Sequence, residues 1–236
     1  MSWDQVEAPP EVTGSAPQSG RLEPALRWLA RCQGAWPPHR PAQVTRVDVV
    51  GGGAGSLETG RARADAAVDA GTDLLVVSGS GDQATGVLVT AVLLDLEPVR
   101  AVGTAPGADW ARLTLAVRDG LRDNRRHRSD PAGLLVAAGA GDVAELAGLL
   151  ARSAARRTPA LLDGSALTAA AALVAGRLAP GASAWWLAGQ SPPLPAARAA
   201  HDSAGLVPLL DLRLGLPAGA DLALDLLTAA TGLAGA

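Results

Sequence analysis

The sequence predicts an α/β fold: an open, mainly parallel sheet with helices on both faces, a Rossmann-like three-layer arrangement. Three observations carry the expectation. Short Val- and Leu-rich runs alternate with longer Ala/Leu stretches of helical spacing, the pattern of βαβ units around a parallel sheet. Runs such as Val76-Val77 and Leu161-Leu162 are apolar without alternation, as strands covered on both faces are. Between runs and helices stand Gly, Ser and Asp, the residues of tight, capped strand-to-helix turns, at Ser78-Gly79-Ser80-Gly81-Asp82 and Asp163-Gly164-Ser165. A chain of 236 residues is long enough to bury a sizeable core within one large domain.

Residues 1–20 are rich in Pro, Gly, Ser and Glu and show no periodicity, so they read as a disordered tail before a domain spanning 21–236. Residues 22–32 place Leu22, Leu26, Leu29 and Ala30 at helical spacing, and the run Pro37-Pro38-His39-Arg40-Pro41 stops that helix. Strands are expected at 46–50, 73–77, 99–103, 159–162, 184–187 and 207–210, each a short apolar run bounded by turn residues. Helices are expected at 60–70, 82–94, 109–122, 142–156, 165–178, 195–204 and 219–230. The charge run at 123–131 reads as a solvated loop, with an arginine clamp for a phosphate as the alternative. Ligands of such sheets bind where the strands' carboxyl ends meet.

Composition removes several classes of function. The net charge of −3 gives no polyanion-binding field, so nucleic acid is not an expected partner. A single cysteine, Cys32, excludes an intrachain disulfide and multi-cysteine metal sites, and its amphipathic setting suits packing rather than nucleophilic catalysis. The first residues carry no apolar signal core, and prolines interrupt the uncharged stretch 178–197 that would otherwise suggest a membrane span. A soluble, cytoplasmic chain without membrane contact is expected. All 20 basic residues are Arg, and Phe, Tyr, Ile and Lys are absent, a coding bias rather than chemistry.

The glycine-rich turn through Gly79 and Gly81 is a candidate anion cradle, because backbone amides and a helix N-terminus favour negative charge. Gly81 and Gly86 imitate P-loop spacing, but Val87 stands where that motif requires lysine, so the stretch is not a nucleoside triphosphatase signature. A plain turn capped by Asp82 explains the same residues. Asp163 either caps the following helix or accepts from a ribose hydroxyl.

Leu161-Leu162-Asp163-Gly164, Asp142-Val143-Ala144-Glu145-Leu146-Ala147-Gly148, Trp28-Leu29-Ala30-Arg31-Cys32-Gln33-Gly34 and Arg213-Leu214-Gly215 together resemble the nicotinate-nucleotide–dimethylbenzimidazole phosphoribosyltransferases. The resemblance is specific from residue 139 onward. It implies transfer of phosphoribose from nicotinate mononucleotide to 5,6-dimethylbenzimidazole without a cofactor or metal, and a nucleotide site including Gly79, Gly81, Asp163, Gly164 and Ser191. It also shows departures. Where the family reads Arg-Leu-Gly-Glu-Gly-Thr-Gly-Ala, with the glutamate as base, this chain reads Arg213-Leu214-Gly215-Leu216-Pro217-Ala218-Gly219-Ala220. Leu216 accepts no proton, and losing a general base costs about 10²–10⁴-fold in rate. Asp221, further along the next helix, is a weak rescue candidate. A strand ending in Gly-Asp-His-Gly is replaced by Gly51-Gly52-Gly53-Ala54-Gly55, after which a long family segment is missing. Three functions follow: a shortened transferase, a catalytically silent binding or regulatory subunit that pairs with itself or a full-length relative, or an enzyme acting on a different substrate through the same phosphate and ribose contacts.

Overall fold

A computed structural model describes residues 3, 5–52, 54–104, 107–214 and 218–234. In chain order its regular elements are α1 (Glu23–Gln33), β1 (Val44–Val49), α2 (Leu57–Asp69), β2 (Leu74–Gly79), α3 (Gln83–Leu94), α4 (Pro98–Val102), α5 (Ala108–Asn124), α6 (Pro131–Ala137), α7 (Gly141–Ala155), β3 (Ala160–Leu162), α8 (Ala166–Leu178), β4 (Trp186–Gln190), α9 (Pro195–Ala204), β5 (Pro208–Leu210) and α10 (Ala218–Ala234). The five strands pair in parallel in sequential order, β1-β2-β3-β4-β5. The sheet thus has helices on both faces as expected, but its strand order never reverses, so it has no topological switch point of the doubly wound kind.

Two apolar layers hold the sheet. On one face Val47, Val49, Leu75, Val77 and Leu162 pack with helical residues including Ala64, Val87, Leu146 and Leu167. On the other, Leu74, Val76 and Leu161 meet Ala220, Ala223 and Leu224 of α10, flanked by Trp28 of α1. Every residue of β2 is buried, which is why it opens on the unbroken apolar run Leu74-Leu75-Val76-Val77. The helices begin where local chemistry allows. Ser56 and Thr59 form a reciprocal capping box on α2, Asp82 caps α3, and Ser165 caps α8. Against α7, helix α2 comes close enough that a Cβ on Gly60 would lie 1.9 Å from the Glu145 carbonyl oxygen, and one on Gly148 2.1 Å from that of Leu57.

Three expectations give way. The strand expected at 99–103 is α4: Pro98 stands at the first helical position with extended Glu97 before it, and Ala101 and Val102 are buried without a neighbouring strand. The charge run is not one loop, because α5 continues through Asn124, a 3₁₀ turn covers Arg125–His127, and α6 starts at Pro131 under an Asp130 cap. Its Leu134 and Leu135 are buried, a face too short for periodicity to reveal. The segment expected as a disordered tail lies against the domain from Gln5 onward: the Val6 amide donates to the Pro180 carbonyl (2.8 Å), the Trp185 indole donates to the Glu7 carbonyl (2.8 Å), and Val6 and Ala16 are buried. Composition conceals this docking, which combines backbone hydrogen bonds with Val6 and Ala16, the Trp3 ring under Arg61, and ion pairs of Glu7 with Arg157 and Glu11 with Arg31. At β4 the boundary shifts, since Ala182–Trp185 form a 3₁₀ turn and the strand starts at Trp186.

Candidate functional site

The carboxyl ends of the strands gather most of the singled-out residues, and Asp163 is the knot among them. It follows β3, is fully buried, and accepts from the Gly79 amide (3.1 Å), the Ser165 amide (2.9 Å) and the Thr168 hydroxyl (2.7 Å). Burial, the largest influence, pushes its carboxyl above the usual range, and the bonds from Ser165, Thr168 and Gly79 oppose that shift. The carboxylate therefore joins the end of β2 to the start of α8. Gln83 stitches the same corner, donating to the carbonyls of Gly79 (2.9 Å) and Gly81 (3.0 Å) and accepting from the Ala166 amide (2.8 Å). With Ser165 Oγ receiving the Thr168 amide (3.1 Å), the amides of Ser165, Ala166 and Thr168 at the head of α8 are all engaged within the protein.

Gly79 and Gly81 do stand in the strand-to-helix turn. A Cβ on Gly79 would meet the Leu167 Cβ at 2.8 Å, and one on Gly81 would meet the Gly51 Cα and Asp142 Oδ2, both at 3.0 Å. Their smallness serves packing between neighbouring loops. The electrostatics around the turn are acidic. Asp82 caps α3 through the Ala84 amide (3.1 Å), the Ser80 hydroxyl bridges both Asp48 oxygens (3.0 and 2.9 Å), and Glu145 pairs with Arg63. A recess of about 200 Å³ here is lined by Asp48, Gly51, Gly52, Arg63, Asp142 and Glu145. Gly51 and Gly52 of the segment 51–55 thus border this recess. A phosphate would meet carboxylates there, against the logic of a helix N-terminal anion site.

The residue that sequence reasoning passed over is Gln190, at the end of β4. Fully buried, it donates through Nε2 to the carbonyls of Asp163 (2.8 Å) and Leu214 (3.2 Å) and accepts the Leu214 amide (2.7 Å) on Oε1. It couples the turn after β3 to the segment after β5. Gly164, at φ +81°, leaves the space beside it: a Cβ there would stand 3.1 Å from the Gln190 Cγ. Ser191 is nearly buried and gives its amide to the Leu210 carbonyl (2.9 Å). The available signal was a lone amide side chain closing an otherwise apolar strand.

Leu216, at the position of the family's base, lies outside the described residues. Asp221 is not brought to this edge cluster; it forms an ion pair with Arg46 of β1 (3.1 Å), both side chains being about half exposed. His201 is buried on α9 with neither ring nitrogen hydrogen-bonded, and burial pushes its pKa down to about 4. Burial pushes the Cys32 thiol up to about 12, which leaves it protonated and unreactive at neutral pH. Among the described residues no group of three or more His, Cys, Asp or Glu could hold a metal ion, and no helix is long and apolar enough to cross a membrane.

Comparison with known proteins identifies the framework. Residues 53–235 match a family described as phosphoribosyltransferase. The nicotinate-nucleotide–dimethylbenzimidazole phosphoribosyltransferase of Mycobacterium avium is 50% identical over 182 residues, covering 74% of this chain and 52% of that protein. The enzyme of the same name from Mycobacterium tuberculosis is 48% identical over 184 residues, covering 75% of this chain and 51% of that protein. The chain therefore spans about half the length of the curated relatives it matches. A crystal structure of a Thermus thermophilus nicotinate-nucleotide–dimethylbenzimidazole phosphoribosyltransferase superposes with a TM-score of 0.73 at 25% identity, over 98% of this chain and 92% of that one. The resemblance noted for Trp28–Gly34 falls before the stretch matched by the family. From the turn after β1 to the last turn of α10, the sequence and the sheet with its flanking helices are those of the nicotinate-nucleotide–dimethylbenzimidazole phosphoribosyltransferase family, to which this chain belongs.

Proposed function

We propose that this chain is a catalytically silent member of its family, a binding or regulatory subunit that keeps the sheet and has lost the transfer of phosphoribose from nicotinate mononucleotide to 5,6-dimethylbenzimidazole. The observation that carries the reading is the state of the strands' carboxyl edge. The leading amides of α8 are taken by Asp163, Gln83 and Ser165, and Asp48, Asp82 and Asp142 surround the glycine turn where an incoming phosphate needs donors. The reaction asks for little beyond alignment of the acceptor nitrogen with the anomeric carbon and one base to take its proton. Sequence supplies Leu216 where that base belongs, and the nearby carboxylate Asp221 is held by Arg46.

The experiment is direct. Purified protein is incubated with nicotinate mononucleotide and 5,6-dimethylbenzimidazole at high enzyme concentration, and the ribosylated product is followed by chromatography and mass. No turnover above the protein-free control is expected, and calorimetric titration with nicotinate mononucleotide should release no binding heat. Turnover that is abolished by Asp221→Asn would overturn the reading. It would favour the second one, a shortened transferase, which the 50% identity to a named transferase recommends.

A further inference from the structure

At the far end of β4 from Gln190 lies a recess of about 220 Å³. Trp186 opens that strand and Gln190 closes it, so at 3.3 Å per residue about 13 Å separates this recess from the Asp163–Gln190 corner. It forms where α1, the start of β4 and the turn from α9 into β5 come together, and Arg21, Trp28, Trp186, Leu187, Val207 and Leu209 are among its walls. Trp28, Leu187 and Leu209 pack around one apolar cluster, so the walls are largely hydrocarbon. Val207 is exposed beside them.

The polar chemistry of these walls has one sign. Of the lining side chains only Arg21, Trp28 and Trp186 carry a polar group, and each can donate a hydrogen bond but not accept one. The indole N–H groups of Trp28 and Trp186 are both buried, and neither finds an acceptor in the protein. Trp186 as a whole is only 3% exposed. Buried donors in folded proteins are nearly always paired, and leaving one unpaired is destabilising. Two of them on the walls of one recess therefore call for an acceptor from outside the chain. Arg21 is exposed, and among the described residues its guanidinium has no hydrogen-bond or ion-pair partner. No carboxylate lines the recess to offset its charge.

We propose that this recess binds a small aromatic carboxylate of one or two fused rings. Its ring packs against Trp28 and Trp186, and its carboxylate accepts from Arg21 and the indole N–H groups. Each part follows from the walls. Two indoles favour an aromatic body, through offset or edge-on ring contacts. An unpartnered guanidinium favours an anion, since charge-assisted bonds to carboxylates are stronger than neutral ones. A cavity of about 150 Å³ holds one benzene ring, so 220 Å³ suits one ring or a fused pair and is too small for a nucleotide. Arg21 and Trp28 precede residue 53, where the stretch shared with the family begins, so two of the three donors lie outside it. The proposal stands apart from the catalytic reading, and neither needs the other.

The test is titration of the full chain, labelled with nitrogen-15 at its six tryptophans, with 2-naphthoate while the indole N–H resonances are followed. Trp28→Phe and Trp186→Phe assign two of those resonances by their disappearance. Both should shift saturably on titration, and the other four should stay in place. Arg21→Gln, at an exposed position, should raise the dissociation constant at least about tenfold. The neutral analogue 2-naphthylmethanol should bind at least about tenfold more weakly than 2-naphthoate, and acetate should shift neither resonance. Circular dichroism confirms that each variant folds; should a tryptophan variant not fold, Arg21→Gln and the neutral analogue still decide. Indole resonances unmoved by millimolar 2-naphthoate overturn the proposal. So do shifts at the other tryptophans alone, or binding that neither Arg21→Gln nor loss of the carboxylate weakens.

Discussion

At the scale of single residues, the carboxyl edge is governed by the buried amide of Gln190, the half-buried amide of Gln83 and the buried carboxylate of Asp163, and their partners set what the edge does. Gln190 is the most exacting, since one side chain satisfies the Asp163 carbonyl and both backbone groups of Leu214. Leucine has nearly its shape and none of its hydrogen bonds. Gln190→Leu should therefore destabilise the protein by about 2 kcal/mol in urea titration, the cost of buried backbone groups left without partners. It should also loosen the segment leading to Leu216 more than the fold as a whole. Trypsin reports this locally, because Arg213 is exposed beside the anchored Leu214; cleavage after Arg213 should accelerate in the variant under conditions where the remaining arginine sites resist. Equal acceleration at all sites would mean that Gln190 supports the core generally and does not tether this turn.

At the scale of elements, contact between α2 and α7 depends on what is missing from Gly60 and Gly148. Adding one methyl at Gly148 sets it against the Leu57 carbonyl, a backbone atom that cannot swing aside. Gly148→Ala should cost about 1–3 kcal/mol as overpacking, read from the urea midpoint. Gly176→Ala is the control: it lies within α8 with nothing within 4 Å of its would-be Cβ, so helix propensity alone should stabilise it by about 1 kcal/mol. Opposite signs from the same chemical change would separate packing from propensity. The elements themselves were largely legible in sequence, because β2 and β3 are short apolar runs buried on both faces, and α7 and α8 are longer apolar stretches, α8 with Ser165 capping its head. The helix α9 begins and ends where Pro195 and Gly205 punctuate the chain. Short α4 and α6 were not legible, since five and seven residues give no full period, and Pro98 outweighs the β-branched neighbours that suggested a strand. For the site, Asp163 and the glycine turn were found from strand-end chemistry, but that they bond each other was not, because their pairing crosses 84 residues of sequence. Gln190 escaped for the same reason: its partners are brought to it by β3 and β5.

At the scale of the whole molecule, buried ionisable groups couple folding to pH, and His201 gives the clearer case. Its ring has no hydrogen-bond partner and its pKa falls from 6.5 to about 4 on folding. Below the unfolded value the unfolded chain binds the proton that the folded chain refuses. Stability is therefore fully present above pH 6.5 and is lost as the pH falls towards about 4. At its limit the loss is about 3 kcal/mol. Asp163 acts in the opposite sense, because a carboxyl raised by burial contributes stability at low pH that is lost as the pH climbs through its folded value. A single pH–stability curve for the native protein sums both. Differences between variants do not: His201→Leu leaves Asp163 untouched, so subtracting its curve from that of the native protein isolates the histidine. The variant should equal or exceed the native protein at pH 7, having exchanged an unsatisfied buried ring for an apolar side chain. Its advantage should then widen as the pH falls from 6.5 to 4. A constant difference across that range would show that the buried ring keeps its proton-binding capacity, through a partner that only forms when the imidazole is charged.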